Sequence, residues 1–289
     1  MTHGYMLSGT GSNVYVQNLC RGLVKMGHNV HLLCQEPDPL SYDFVNEHCR
    51  ASEAGVKKLG EKTSPYPGSC AIYRPEIGDL LPVYVYDDYP GWRVKTFLDL
   101  TDGEFEHYVM KNVAAVRSVL KHSEATGTVT NHAVPGPEIA RQALANTGVP
   151  YASIVHGSAL QYVARRSEKY MDVARRGLSE ATRIIALSTH SAGTIAEDFP
   201  NMVKKTIALP GGVDAELFRP DALDLSVTEK LVGGPGRGPE EAARLREILD
   251  GFPETGGTKD LATELKALSA RYEPRRRSGK TPTIARRVA

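Results

Sequence analysis

The chain has 289 residues, 41% of them hydrophobic, and a formal net charge of +1. This length and apolar content suffice for one large or two modest domains, and the near-neutral charge argues against a general binder of nucleic acids or membrane surfaces. No apolar run is long enough to span a bilayer, and the first residues lack the pattern of a signal peptide. The cysteines show no metal-ligand spacing, and two of them fall on apolar faces, which favours a cytoplasmic protein with free thiols.

A glycine-rich loop at residues 8–13 comes directly before the first helical pattern. Apolar residues recur at helical spacing from Val16 to Met26, Gly27 is expected to end the helix, and residues 29–34 indicate a buried strand. A loop of this kind leaves backbone N–H groups unpaired at the positive end of a helix. The pattern therefore predicts a site for an anionic phosphate.

Two other interpretations of the loop remain open at this point. Ser12 or Asn13 could be the N-cap of an ordinary helix. The loop could also belong to a dinucleotide-binding motif, with Glu36 as the acidic residue after the next strand, although Val14 stands where that motif needs its third glycine.

The beginning of the chain is short for this arrangement. In a doubly wound sheet a hydrophobic strand leads into such a loop, but only residues 1–7 precede it. We therefore expect the first strand to be missing or reduced to a stub, with Met1 an internal start of a longer natural chain.

The next part of the chain is less regular. Residues 35–68 are polar and rich in Pro and Gly, which predicts a long, partly mobile insertion. Residues 70–74 and 80–86 are strand candidates. A capping box at residues 101–104 predicts a helix whose apolar stripe extends to Leu120.

Strands and helices then alternate with short connections, which predicts a parallel sheet with right-handed crossovers. The expected strands are 128–132, 151–155, 183–187 and 205–209, and the expected helices are 136–145, 168–180 and 189–197. The fold class that follows is α/β, a Rossmann-like doubly wound sheet.

The composition changes after Pro220. We expect a domain at residues 1–221 and a flexible, partly helical and partly disordered tail at 222–289. The tail contains a Gly- and Pro-rich break at 233–239 and a basic end without a core pattern.

Two histidines end neighbouring predicted strands. His132 follows one strand and His156 the next, and Ser188 and the Gly211-Gly212 turn fall at the same edge. Ligands of open α/β sheets bind beyond the carboxyl ends of the strands. One histidine in such a place is often only structural, but two of them beside a phosphate-type loop predict a cleft.

Five stretches in this order carry a resemblance to a known family. They are residues 9–19, 26–34, 148–158, 181–188 and 209–220. Together they resemble the N-terminal domain of a GT-B glycosyltransferase of group 1 (family 4). The resemblance implies transfer of a sugar from a nucleotide-sugar to an acceptor with retention at the anomeric carbon, with the nucleotide-sugar as co-substrate and neither another cofactor nor a metal.

The resemblance also assigns roles to residues. His156 is expected to contact the donor sugar at the reaction centre, and His132 and Tyr15 to lie on the acceptor side. The donor diphosphate and sugar are expected to be bound by Gly9, Thr10, Gly11, Ser12, Asn13, Gly157, Ser158 and Ser188.

Two departures from the family pattern shape the expectation. The family usually has Asn where Gly211 stands, and its C-terminal domain supplies most of the nucleotide site. We therefore expect half of an enzyme that is inactive without a C-terminal donor domain. Its expected partners are a nucleotide-sugar donor and an unknown acceptor. It is not expected to bind nucleic acid, and it would contact a membrane surface if the acceptor is a lipid.

Two other functions remain as alternatives. One is a non-catalytic domain that binds a sugar or a partner. The other is a Rossmann-type NAD(P)-dependent oxidoreductase, which Val14 and the histidine pair disfavour. No paired carboxylates at glycosidase-like spacing stand out, so hydrolysis is not expected.

Overall fold

The computed structural model describes residues 1–214, of which Met1–Gly212 form one compact unit. The predicted boundary at residues 221 and 222, the break at 233–239 and the tail helices lie outside the described residues.

The unit alternates helices and strands. The helices are α1 (Gly11–Lys25), α2 (Asp102–His122), α3 (Gly136–Leu144), α4 (Gly157–Tyr162), α5 (Glu168–Ser179) and α6 (Thr189–Asp198). The strands are β1 (Asn29–Leu33), β2 (Glu47–Ser52), β3 (Gly55–Glu61), β4 (Ser69–Pro75), β5 (Leu80–Val83), β6 (Arg93–Thr96), β7 (Thr128–Asn131), β8 (Tyr151–Val155), β9 (Arg183–Ala186) and β10 (Thr206–Ala208).

Two four-stranded sheets make up most of the strand content. Their orders are β3-β2-β4-β1 and β7-β8-β9-β10, and all neighbours are parallel except the β2–β3 pair. Strands β5 and β6 form a separate parallel pair.

The first three residues join the two sheets. Thr2 bridges Leu33 of β1 and Thr130 of β7 in parallel fashion. The Thr2 N–H donates to the Val129 carbonyl at 2.9 Å, and the His3 N–H donates to the Leu33 carbonyl at 2.8 Å. The described chain therefore contains the stub of the first strand, in the centre of one continuous sheet.

Both faces of this sheet are covered. Along β4, Cys70 and Ile72 pack with α1 in one apolar cluster, whereas Ala71 and Tyr73 belong to a second cluster with α2, α3 and α5. Alternate residues of a strand point to opposite faces, so the two clusters lie on opposite sides of the sheet. The predicted α/β, Rossmann-like class is confirmed.

Helix α1 buries Val16, Cys20 and Val24. Met26, expected on the same stripe, is instead 75% exposed because the helix ends at Lys25. Gly27 follows with a φ of 91°, a left-handed conformation that glycine adopts without steric cost.

Helix α2 begins with the predicted capping box, in which Thr101 and Glu104 each bond the other's backbone N–H. With 21 residues α2 is long, but no helix among residues 1–214 combines the length and apolar character needed to cross a bilayer.

Several sequence expectations need correction. Residues 35–68 are not an irregular insertion, because β2 and β3 lie there and extend the sheet. Their polar, outward-facing residues concealed the strand pattern. The sequence also gave no sign of β6 or α4, and the strand expected at 80–86 ends at Val83.

Candidate functional site at the carboxyl edge of the sheet

The candidate site lies where the stub of the first strand, β7 and β8 end beside the beginning of α1. The loop before α1 has no regular structure, and Gly9 has a φ of 91°. The N-cap of α1 is Thr10, whose side chain accepts from the Asn13 N–H, so neither Ser12 nor Asn13 is the cap. The first N–H groups of a helix have no intrahelical partner and point outwards at the loop.

Asn13 and His3 fix the shape of this loop. The Asn13 side chain is buried, and its Nδ2 donates to the Ser8 carbonyl at 2.5 Å. Its Oδ1 lies 3.0 Å from Nε2 of the buried His3 ring. Because Asn13 bonds the loop in front of its own helix, the loop is held as a closed turn.

Glu36 supports the loop from its other side. Its buried carboxylate accepts from the Leu7 N–H at 3.0 Å and from the Asp38 N–H at 3.2 Å. Tyr42 donates to the same carboxylate. The acidic residue that suggested a dinucleotide site thus anchors the chain at the entry to the loop.

His156 lies at the end of β8, directly before α4. Its Nε2 is 3.1 Å from Oδ1 of Asn131, the last residue of the neighbouring strand β7. Its ring meets the Tyr15 ring edge to face at 5.4 Å and lies 4.7 Å from the His132 ring. The imidazole is therefore packed on two sides and hydrogen-bonded on a third.

His132 lies deeper in the structure than the sequence suggested. It follows β7 with a φ of 71° and is only 2% exposed. Its ring packs 4.5 Å from Tyr84 and 5.8 Å from His3, and neither ring nitrogen has a partner among the described residues. Its role as an acceptor contact stays a prediction. The His132 side chain is more deeply buried than that of His156.

The three histidine rings form one neutral cluster. Burial lowers the pKa of His3 to about 4 and that of His156 to about 4. Burial, with His156 and His3 as neighbours, also lowers the pKa of His132 well below its ordinary value. All three imidazoles are therefore uncharged near pH 7, and none of them acts as a cation there.

Tyr15, on α1, packs against the turn at Gly211 and Gly212. A Cβ placed on Gly211 would lie 3.3 Å from Cε2 of Tyr15, so the bare glycine backbone packs closely against this ring. A side chain at this position would press on the tyrosine. Tyr15 thus contacts both His156 and the Gly211 turn.

Other predicted donor residues have local roles. Ser188 is the N-cap of α6, where its Oγ accepts from the Ser191 N–H at 3.0 Å. Gly157 and Ser158 are the first two residues of α4, next to His156. Their contacts with a donor stay predictions.

Two residues of the site were missed from the sequence. His3 lies in the short stub of the first strand, and Asn131 directly precedes His132. Both are polar and buried at strand ends. A polar residue directly at a strand's carboxyl end was the available signal. Within residues 1–214, no three His, Cys, Asp or Glu side chains are arranged to hold a metal ion.

Comparison with known proteins places this arrangement in a family. The family model described as a glycosyl transferase 4-like domain matches residues 10–210, more than half of the 289 residues. A search of curated protein sequences finds no match. The matched range contains the glycine-rich loop from Thr10 onwards, Asn131, His132 and His156, and it ends at Pro210, the residue before Gly211. The chain belongs to the glycosyl transferase 4-like family.

Proposed function

We propose that this domain binds a nucleotide-sugar and takes part in transferring its sugar, with retention, to a hydroxyl of an acceptor. The observation that carries the proposal is the meeting of a fixed phosphate-type loop and the neutral His156 at one sheet edge, with Tyr15 touching the histidine ring. The diphosphate would lie at the loop and the sugar beside His156.

The proposed chemistry explains why these groups are needed. The bond between the anomeric carbon and the diphosphate oxygen breaks, and its electron pair goes to the diphosphate. The acceptor oxygen bonds the anomeric carbon on the same face, and the acceptor proton goes to the departing diphosphate. Backbone N–H groups fixed where negative charge grows lower the barrier by several kcal/mol.

A neutral His156 suits this role. An imidazolium beside a sugar whose anomeric carbon is becoming positive would raise the energy of that state, whereas a neutral ring can hydrogen-bond a hydroxyl. Since burial keeps the pKa of His156 near 4, the ring is neutral at physiological pH. Cytoplasmic location and a separate donor domain remain parts of the proposal.

The test is ligand binding to the full chain by saturation-transfer NMR, with a panel of UDP-, GDP- and ADP-sugars and with NADH. We expect a nucleotide-sugar to bind and NADH not to compete. Binding of NADH alone would favour the oxidoreductase alternative. A free sugar that binds as well as the nucleotide-sugar would favour a sugar-binding module.

Gly9 offers a matched control for the same assay. Gly9 and Gly91 have φ values of 91° and 84°, and neither has a neighbour within 4 Å of an added Cβ. Changing either to Ala therefore causes similar backbone strain. Gly9→Ala should weaken nucleotide-sugar binding about tenfold by distorting the loop, a loss of about 1.4 kcal/mol, and Gly91→Ala should not change it.

A further inference from the structure

Asn131 has a hydrogen-bonding arrangement that fixes which way its amide faces. The side chain is buried, and its Nδ2 lies 3.0 Å from the Thr2 carbonyl oxygen. A carbonyl oxygen can only accept, so the amide nitrogen must face it. The amide oxygen therefore faces His156, 3.1 Å from Nε2.

This arrangement decides the protonation of the His156 ring. The Asn131 oxygen can only accept, so a hydrogen bond forms only if Nε2 of His156 carries the proton. In the neutral ring Nδ1 then has the lone pair. His156 Nδ1 makes no hydrogen bond with any residue between Met1 and Asp214, which leaves it available to a ligand.

The same arrangement occurs a second time in the molecule. The Asn13 amide donates to the Ser8 carbonyl and presents its oxygen to Nε2 of His3. This pair is built from different elements, the loop and α1, and gives the same ring protonation. Buried amides that must satisfy both a carbonyl and an imidazole leave one tautomer in each case.

The ring of His156 is also held against rotation. Tyr15 packs against it at 5.4 Å and His132 at 4.7 Å. His156 is the N-cap residue of α4, yet its side chain makes no capping hydrogen bond. The orientation of the ring therefore depends on Asn131 and the two aromatic neighbours.

We propose that Asn131 is the positioning residue that holds His156 as its Nε2–H tautomer, so that Nδ1 faces the ligand as a hydrogen-bond acceptor for a hydroxyl group. The identity of that hydroxyl, on the donor sugar, rests on the proposed function. The tautomer itself follows from this chain's own residues and does not.

The test is the imidazole ¹⁵N spectrum of the full chain labelled at histidine, with the His156 signals assigned by comparison with His156→Gln. We expect Nε2 of His156 to appear as a protonated nitrogen and Nδ1 as a bare one at pH 7. A protonated Nδ1, or fast exchange between tautomers in the unmodified protein, would overturn the proposal without any need for a variant.

Two variants separate positioning from simple packing. Asn131→Leu removes the acceptor and should release the ring to a mixture of tautomers. Asn112→Leu is the control, because the Asn112 side chain donates to the Tyr108 carbonyl and makes no hydrogen bond with a histidine within residues 1–214. A pure Nε2–H tautomer in Asn131→Leu would show that Asn131 does not set it.

The ligand part has a separate readout. In Asn131→Leu the affinity for a nucleotide-sugar should fall about tenfold while that for the matching nucleoside diphosphate stays the same. Equal loss for both would assign Asn131 a general structural role. If no nucleotide-sugar binds the unmodified chain, the proposed function fails, and the tautomer result still decides the role of Asn131.

Discussion

The two asparagine–histidine pairs of the site have the same hydrogen bonds but different surroundings. In the His3–Asn13 pair the ring is 3% exposed and enclosed by Tyr5 and His132. In the His156–Asn131 pair the histidine is 8% exposed and lies directly before α4, and its ring contacts Tyr15, against which Gly211 packs. The first pair shapes a loop from within the core, and under the proposed function the second presents its ring to a ligand. On that proposal, one chemical arrangement serves as support in one place and as recognition in the other.

If this distinction holds, the largest effect belongs to His156. In the enzyme completed with a donor domain, His156→Ala should lower turnover by about two to three orders of magnitude, as expected for one lost hydrogen bond that strengthens in the transition state. The melting temperature should change little. Release of nucleoside diphosphate in the presence of an acceptor measures turnover, and thermal denaturation measures the melting temperature.

His190→Ala is the control for that prediction, because His190 is an exposed histidine on α6. An unfolded His156→Ala variant, or one with full activity, would mean that His156 is structural like His3.

Acid should destabilise the protein through both pairs. The pKa of His3 and that of His156 are about 4 in the folded chain, against 6.5 for an unperturbed histidine. Between pH 6.5 and about 4 the unfolded chain therefore binds more protons, and the free energy of unfolding rises with pH. The stability is fully present above pH 6.5 and is lost as the pH falls towards 4.

Each such histidine contributes a slope of up to about 1.4 kcal/mol per pH unit. Urea denaturation from pH 4 to pH 7 measures this slope. His3→Gln keeps a donor for Asn13 but cannot titrate, so it should reduce the slope. An unchanged slope in His3→Gln would contradict the buried neutral state of His3.

A smaller effect is expected from the support pair alone. Asn13→Ala leaves the Ser8 carbonyl and the His3 ring without their partner, which should lower the free energy of unfolding by about 1–3 kcal/mol. Asn18→Ala, an exposed change on the same helix, is the control. Equal stability of the two variants in urea would show that Asn13 does not hold the loop.

Much of the fold could be predicted because it depends on local patterns. The apolar runs of β8 and β9 and the capping box at Thr101 show where elements begin and end. Strands β2 and β3 escaped because their residues alternate only weakly in polarity at the edge of the sheet. Their pairing with β4 depends on contacts that no local pattern reveals.

The sequence predicted several residues of the candidate site, but not how deeply each of them is buried. The loop was recognised from its position before a helix, and His132 and His156 from their positions at the ends of predicted strands. Whether a strand-end histidine is open or enclosed depends on its neighbours, and Tyr84 covers His132 from a distant part of the chain. His3 was overlooked because its importance comes from pairing with β1 and β7 across the centre of the sheet.

The most direct test of the account is a titration of the histidine-labelled full chain with a nucleotide-sugar, followed through the imidazole signals. We predict that the His156 signals shift in proportion to ligand bound, that the His3 signals shift less, and that those of exposed His190 remain in place. The matching nucleoside diphosphate should move the His156 signals much less than the nucleotide-sugar does. Unchanged His156 signals while the nucleotide-sugar binds elsewhere would contradict the assignment of this edge of the sheet as the sugar site.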